Sequence, residues 1–255
     1  RTLYKKTSSG SLRMWRIDLY ENDGAYEYTT SDGQVGGKIK TSKPTVVNAG
    51  KASRSIYEQA KSQVTSKINK KLDGGYLETE QEALDDIFIS PMLAVNFKKR
   101  GHSMSFPAIG QRKFDGVRCI AYLSNGKVVL ESRKGKAFPH LNHLRDAIEP
   151  YLEEGQILDG ELYSDTLDFQ RTVGLVRRES LSQEDIDVLP EVSYRIYDMF
   201  STDSSITELS FTKRHAMASD LVSKIGSPLA IVKNYVIDLE EDIQPLHDQF
   251  VQEGY

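Results

Sequence analysis

From Thr2 to about Val47 the chain alternates short β-prone pieces (TLYKK, SLRMWRIDLYE, AYEYTT, GKIKT) with turn clusters such as TSSGS, ENDG and SDGQVGG. That alternation predicts a small sheet. The period then changes. Ile56, Ala60, Val64, Ile68 and Leu72 recur every fourth residue through SIYEQAKSQVTSKINKKL, which predicts a helix that ends at Gly74-Gly75 and packs across the sheet. The acidic stretch LETEQEALDD reads as a linker or a short helix, and a second domain begins near Ser90-Pro91.

The second part is dense in strands. Val117 to Leu123 and Lys127 to Ser132 flank Ser124-Asn125-Gly126, a strong hairpin signal. A helix is expected over Leu141 to Leu152, where Leu141, Leu144, Ile148 and Leu152 share a face and Pro150 distorts the last turn. Strands follow around Ile157-Leu158 and Val192 to Tyr197, then a helix near Lys213 to Lys224 and one strand across Leu229 to Val236. The expected organisation is a small sheet-plus-helix domain over residues 1–76, a linker over 77–89 and an α+β domain over 90–255.

At 255 residues and 38% hydrophobic content the chain can bury one large core or two smaller ones. No apolar run approaches the roughly 18 residues of a membrane span, and RTLYKKTSSG has no apolar core for a secretory signal. No membrane partner is therefore expected, and the setting is cytoplasmic or nucleoid. The single cysteine, Cys119, excludes an internal disulfide framework and a multi-thiolate metal site, and reads as a small buried apolar side chain. The net charge of -4 conceals an asymmetry. Residues 1–75 carry 14 Lys and Arg against 7 Asp and Glu, or +7, while the remaining 180 carry 19 against 30, or -11. A basic segment can neutralise phosphates even on an acidic molecule, because the attraction acts within a Debye length of about 10 Å. On charge alone, a solvated basic face explains the segment equally well.

The candidate chemistry lies in QRKFDGVR, residues 111–118. A lysine is nucleophilic only as the neutral amine, whereas a free ammonium keeps its proton to about pH 10. Desolvation and a neighbouring cation such as Arg118 both favour the neutral form. Asp115 would orient the Lys113 amine, Gly116 would let the backbone pass close to a bound nucleotide, and the Arg118 fork suits a ribose or phosphate. A chance K-x-D-G-x-R match in a chain of this length is on the order of one in a few hundred, against roughly one in twenty for K-x-D-G alone. The longer pattern is informative but insufficient, since a lysine paired with an aspartate at a hairpin base is an ordinary surface feature.

Further segments change that balance. K-F-D-G-V-R resembles the nucleotidyl-lysine motif of the ATP-dependent DNA ligases and their relatives, the RNA ligases and mRNA-capping guanylyltransferases. Glu131-Ser132-Arg133-Lys134-Gly135 looks like the family's S-R-x-G element, Leu158-Asp159-Gly160-Glu161-Leu162 like its D-G-E-L element, and Tyr194-Arg195-Ile196-Tyr197-Asp198 like the strand whose aromatic residue stacks on the purine. Ser90-Pro91-Met92-Leu93-Ala94 and Phe169 to Arg178 (FQRTVGLVRR) resemble segments of phage and large-virus DNA ligases. The similarity covers about Ser90 to Tyr255. It implies a ligase-type nucleotidyltransferase domain of antiparallel sheets flanked by helices, with ATP and Mg²⁺ as cofactors and nicked duplex DNA as partner, in a monomer serving DNA repair or replication.

Under that resemblance the Lys113 amine attacks the α-phosphate of ATP to form lysyl-AMP, and AMP then passes to a nick that is sealed. Gln111 would contact the adenine edge, Glu161 a ribose hydroxyl or the Mg²⁺ ion, Tyr197 the adenine face, and Arg133 nucleic-acid phosphate. The chain departs from the pattern at Gln252-Glu253-Gly254-Tyr255, where the family enters its E-G motif. Either Glu253 is the metal-binding glutamate or that residue lies just past Tyr255. The later K-x-K motif and the OB-fold domain are absent, so a fragment weak or inactive in complete nick sealing is expected.

The first domain resembles a WGR-type DNA-binding module, on Leu12 to Ile17 with Trp15, Tyr26 to Thr30, Ser31 to Gly37 and the basic helix. Asp32-Gly33-Gln34 stands where the W-G-R triplet would be. RNA ligase and capping guanylyltransferase remain alternatives within the same chemistry. A non-catalytic nucleic-acid-binding scaffold is the alternative of another class.

Overall fold

The computed structural model describes residues 1–7, 10–48, 54–85, 91, 95–203 and 205–254. Of the Ser90–Ala94 segment only Pro91 is among them. The chain divides into two compact units, Arg1–Ile89 with Lys134–Lys136, and Ser90–Arg133 with Ala137–Tyr255.

In the first unit β1 (Thr2–Lys6), β2 (Leu12–Asn22), β3 (Ala25–Gln34) and β4 (Ile39–Thr41) pair antiparallel in that order, and β5 (Thr45–Val46) also pairs with β3. Asp23 and Gly24 join β2 to β3 with φ of 49° and 77°, the two positive values that a tight hairpin turn requires. Period two along β2 turns Trp15, Ile17 and Leu19 to one face, where α1 (Ile56–Leu72) packs Ala60, Val64, Ile68 and Leu72 against them. Ile56, the first residue of the predicted stripe, is exposed. A capping box opens α1: the Ser55 hydroxyl accepts from the Glu58 N–H at 3.2 Å, and the Glu58 carboxylate accepts from the Ser55 N–H at 2.9 Å. The expected linker is in part structured. Leu77 exchanges backbone hydrogen bonds of 2.7 and 2.8 Å with Tyr4, and α2 (Glu80–Asp85) buries Ala83.

The second unit runs α3 (Phe97–Arg100), β6 (Ala108–Gln111), β7 (Val117–Ser124), β8 (Lys127–Ser132), α4 (Asn142–Ile148), β9 (Gln156–Tyr163), α5 (Phe169–Arg177), α6 (Gln183–Val188), β10 (Ser193–Ser201), α7 (Phe211–Ile225), β11 (Leu229–Ile231), β12 (Asn234–Ile237) and α8 (Ile243–Gln252). Five strands form one sheet in the order β11-β10-β9-β7-β8, antiparallel except for β10 with β11. Asn125 and Gly126, both at positive φ, turn the β7–β8 hairpin. Leu144 and Ile148 of α4, Leu175 and Val176 of α5, and Ala218 and Val222 of α7 share one core with Val117, Cys119 and Ala121 of β7, Leu158 and Leu162 of β9, and Tyr194 and Ile196 of β10. Burial pushes the Cys119 thiol far above its ordinary range, as suits a core side chain.

Two elements differ from the sequence expectation. α4 stops at Ile148, ahead of Pro150. The single strand expected across Leu229 to Val236 is two strands: β11 pairs with β10, and β12 pairs with β6 in a separate two-stranded sheet. Val232 makes the break, its N–H donating to the Ile196 carbonyl at 2.8 Å and its carbonyl meeting His215 Nε2 at 2.7 Å.

Gly160 is required by close approach. A Cβ there would stand 2.3 Å from the Arg195 carbonyl oxygen and 2.8 Å from the Tyr194 ring, whose hydroxyl lies 2.9 Å from the Cys119 carbonyl and 3.0 Å from that of Leu158. Gly160→Ala is expected to destabilise the protein by about 1–3 kcal/mol through overpacking, read as a lower midpoint in denaturant unfolding.

Candidate active site

Because one face of the sheet is apolar and covered by helices, the alternate positions on β7, β9 and β10 must carry their side chains to the other face. Arg118, Asp159, Glu161 and Arg195 therefore gather there. In register, Glu161 on the central strand lies opposite Arg118 on one side and Arg195 on the other. A shift in pairing between Ile196 and Asp198 makes Tyr197 the extra residue of a β-bulge, which re-aims its side chain.

The arginines are closely engaged. The Arg118 fork holds Asp159 with two bonds of 2.6 Å, and its guanidinium carbon lies 5.0 Å from the centre of the Tyr197 ring. Burial pushes Asp159 above the usual aspartate range, the Arg118 fork opposes this, and Asp198 adds to it. Asp198 is in turn gripped by Arg214 of α7 at 2.8 and 3.1 Å. Arg195 pairs with Asp165 and lies over the rings of Phe114 and Tyr163, 5.7 Å from each.

Lys113 sits in the connection between β6 and β7, exposed, between two anchored neighbours. Phe114 is buried with its ring edge-on to Tyr163 at 4.9 Å, and its N–H donates to the Tyr197 hydroxyl at 3.4 Å. Burial pushes the Tyr197 hydroxyl well above its ordinary range. Glu161 is the most altered acid on this face: burial pushes its carboxyl up to about 7 while the charges of Arg118 and Lys113 pull it down and those of Asp159 and Asp115 push it up. Lys113 and Asp115 thus both act on Glu161 through space.

Four predicted roles meet a different arrangement. Arg118 is occupied by Asp159, so its contribution to a ligand would pass through that pair. The Gln111 amide nitrogen donates to the Tyr197 carbonyl at 3.2 Å and to Asn234 Oδ1 at 2.9 Å, tying β6 to β10 and β12. Gly116 is packed closely against β9: a Cβ would meet the Leu162 carbonyl oxygen at 2.2 Å and Glu161 Cγ at 2.8 Å. Glu253, beyond α8, pairs with Arg112 and accepts from Gln249 at 2.8 Å. Among the described residues no three His, Cys, Asp or Glu side chains form a metal-ligating group, so Glu253 does not join Glu161 in one. Arg133 is exposed in the turn after β8.

Sequence reasoning passed over Asp159, Phe114, Tyr163 and Arg195. Asp159 was findable, since period two from Glu161 places it on the same face. The others depend on register across strands.

The family model for the ATP dependent DNA ligase domain matches residues 91–255. The chain belongs to this family. The solved structures Pmar-Lig_Pre and Pmar-Lig_PreS3 are each 22% identical and cover 76% of this chain and 45% of their own, with TM-scores of 0.57 and 0.56, a likeness of fold. The ATP-dependent DNA ligase from bacteriophage T7 in complex with ATP matches at 17% identity over 62% of this chain and 57% of that one, with a TM-score of 0.45. The chain spans less than half of the first two. No curated protein matches it, and no helix among the described residues is long and apolar enough to cross a membrane.

Mg²⁺ is commonly held by one or two carboxylates together with substrate phosphates. Glu161 supplies one carboxylate whose charge is disfavoured by burial, and a cation would relieve that, so the residue fits such a shared site.

The shift also has a stability consequence. With a folded value raised above the unfolded one, Glu161 costs nothing below about pH 4.5, and its cost grows between there and about pH 7 as the unfolded chain loses its proton first. Glu161→Gln is expected to be more stable than the parent at pH 8, by up to about 3 kcal/mol, with the advantage vanishing near pH 4. Denaturant unfolding at both pH values measures it.

Proposed function

We propose that this chain is the adenylation part of an ATP-dependent DNA ligase and that Lys113 is its nucleophile. The neutral Lys113 amine forms a bond to the α-phosphorus of ATP as the bond to pyrophosphate breaks and the amine gives up a proton. AMP is then transferred to the 5′-phosphate of a nick, and the adjacent 3′-hydroxyl displaces AMP to seal the strand. The observation that carries this reading is Lys113 held between anchored neighbours, with its charge acting on half-buried Glu161 and the next residue, Phe114, bonded through its N–H to the Tyr197 hydroxyl.

Positioning and charge account for most of such a phosphoryl transfer. Glu161 would hold Mg²⁺ together with substrate phosphates, and the ion, when bound, offsets charge on those oxygens. Tyr197 offers a ring face to the adenine. Asp115 orients the amine, and the exposed Arg133 meets nucleic-acid phosphate in the later steps. Nicked duplex DNA is the proposed substrate and repair or replication the proposed setting, with the protein acting as a monomer in the cytoplasm or nucleoid.

The first unit, over residues 1–76, is proposed as a WGR-like duplex-binding module. Residues 33–57 contain no acidic side chain, and Lys38, Lys40 and Lys43 lie in a run, 34–46, that is exposed throughout.

Incubation of the intact protein with α-labelled ATP is expected to yield an acid-labile AMP adduct that Lys113→Ala abolishes. A GMP adduct instead would redirect the reading to capping chemistry, and an adduct surviving Lys113→Ala would refute it. Replacing Lys38, Lys40 and Lys43 together by Glu is expected to weaken duplex binding and to lower the slope of log affinity against log salt by about 2–3. Adduct formation without DNA should be unaffected by that change, and an unaltered slope would remove the module from the interface.

A further inference from the structure

Arg112 precedes the proposed nucleophile directly, and its ring and acid partners lie at the end of α8, outside the sheet that holds Glu161 and Tyr197. Its guanidinium carbon lies 5.6 Å from the ring centre of Phe250, and the guanidinium pairs with Glu253. Both partners belong to the end of α8, with Glu253 capping the helix and accepting a second hydrogen bond from Gln249. Neither end of the pair is free-standing. The Phe250 ring is edge-on to Tyr235 of β12 at 5.0 Å, and Leu246 of α8 sits so near Gly110 of β6 that a Cβ there would come within 2.9 Å. β12 in turn pairs with β6 from Asn234–Gln111 to Ile237–Ala108.

The segment carrying Lys113 is therefore gripped twice. On its C-terminal side Phe114 is wedged against Tyr163 and bonded to Tyr197. On its N-terminal side Arg112 is tied to α8. We infer that the Arg112–Glu253 pair is a strap by which the end of α8 positions the Lys113 backbone, so that Arg112 and Glu253 are positioning residues for formation of the lysyl nucleotide. The inference rests on Lys113 being the nucleophile. Its physical basis is proximity: attack needs the amine within near-contact distance of phosphorus and in line with the leaving group, and a displacement of about 1 Å costs on the order of 10²-fold in rate. Releasing one grip frees the residue next to the lysine while leaving Glu161, Tyr197 and Asp115 in place, so rate should fall and nucleotide affinity should not.

The test is single-turnover formation of the AMP adduct in the intact protein, with α-labelled ATP varied to saturation. Glu253→Ala and Arg112→Ala are each expected to lower the maximal rate about 10- to 100-fold, with the half-saturating ATP concentration unchanged within about threefold. The exchange Arg112→Glu with Glu253→Arg is expected to recover a large part of that rate, and Glu253→Gln, which keeps one acceptor oxygen for Arg112 without the charge, to fall between. Thermal unfolding of each variant checks that the fold is retained, and the exchange and Glu253→Gln keep the question open to an answer should an alanine variant unfold. A maximal rate within twofold of the parent in Glu253→Ala or Glu253→Gln would overturn the strap, as would a loss confined to ATP affinity or an exchange no better than the single changes. Lys113→Ala run in parallel separates the two claims: an adduct in that variant defeats the nucleophile assignment, whereas its absence together with an unaffected Glu253→Ala defeats the strap alone.

Discussion

The site depends on a constraint in β9, the strand between β7 and β10. Leu158 and Leu162 are sealed beneath helices, so period two leaves Asp159 and Glu161 no choice but the opposite face. Neighbouring strands close over that face as well, and Glu161 loses much of its water without gaining a short-range cation. A glutamate free in solvent would be ionised far below neutrality; this one is held near it. The same packing that stabilises the apolar side thus creates an acid whose charge is available to be satisfied by a ligand, and a stability cost at neutral pH is the natural companion of such a group.

Two glycines make the closeness of those strands possible. Gly160 admits the Tyr194 ring and the Arg195 backbone on one side of β9, and Gly116 admits the Leu162 carbonyl and the Glu161 stem on the other. With side chains at these positions the strands would have to separate, and Glu161 would regain water. The Tyr197 bulge works along with them: an extra residue in β10 turns the ring toward the Lys113 connection, where its hydroxyl takes the Phe114 N–H. Backbone economy and side-chain chemistry are here the same fact.

Much of this was legible in the chain. Period two and period four gave the first unit's sheet and α1, and Asn125-Gly126 gave the β7–β8 hairpin, because each is a local signal tied to one conformation. K-x-D-G-x-R and D-G-E-L singled out Lys113 and Glu161, which do influence one another. What escaped was non-local. Nothing around Val232 announces that a run of β-prone residues passes from one sheet to another, since the break depends on Ile196 and His215 far off in sequence. The Arg118 fork was assigned to a ligand because its partner, Asp159, becomes a neighbour only through strand register. The close approach of β9 to Gly116 escaped for the same reason.

The ion pairs on this face decide what a ligand would meet. Arg118 is matched by Asp159, Arg214 by Asp198 and Arg195 by Asp165, so three arginines contribute fixed geometry and little unbalanced charge. Among the described residues Lys113, Asp115 and Glu161 make no ion pair within 4 Å, and with all three ionised they sum to -1. A polyphosphate brought to that set alone meets net repulsion from two carboxylates, one of them poorly solvated. A divalent cation held by Glu161 would reverse the sign and would favour the ionised form of that carboxylate. The paired arginines thus leave the charge balance of the site to be completed by what binds there.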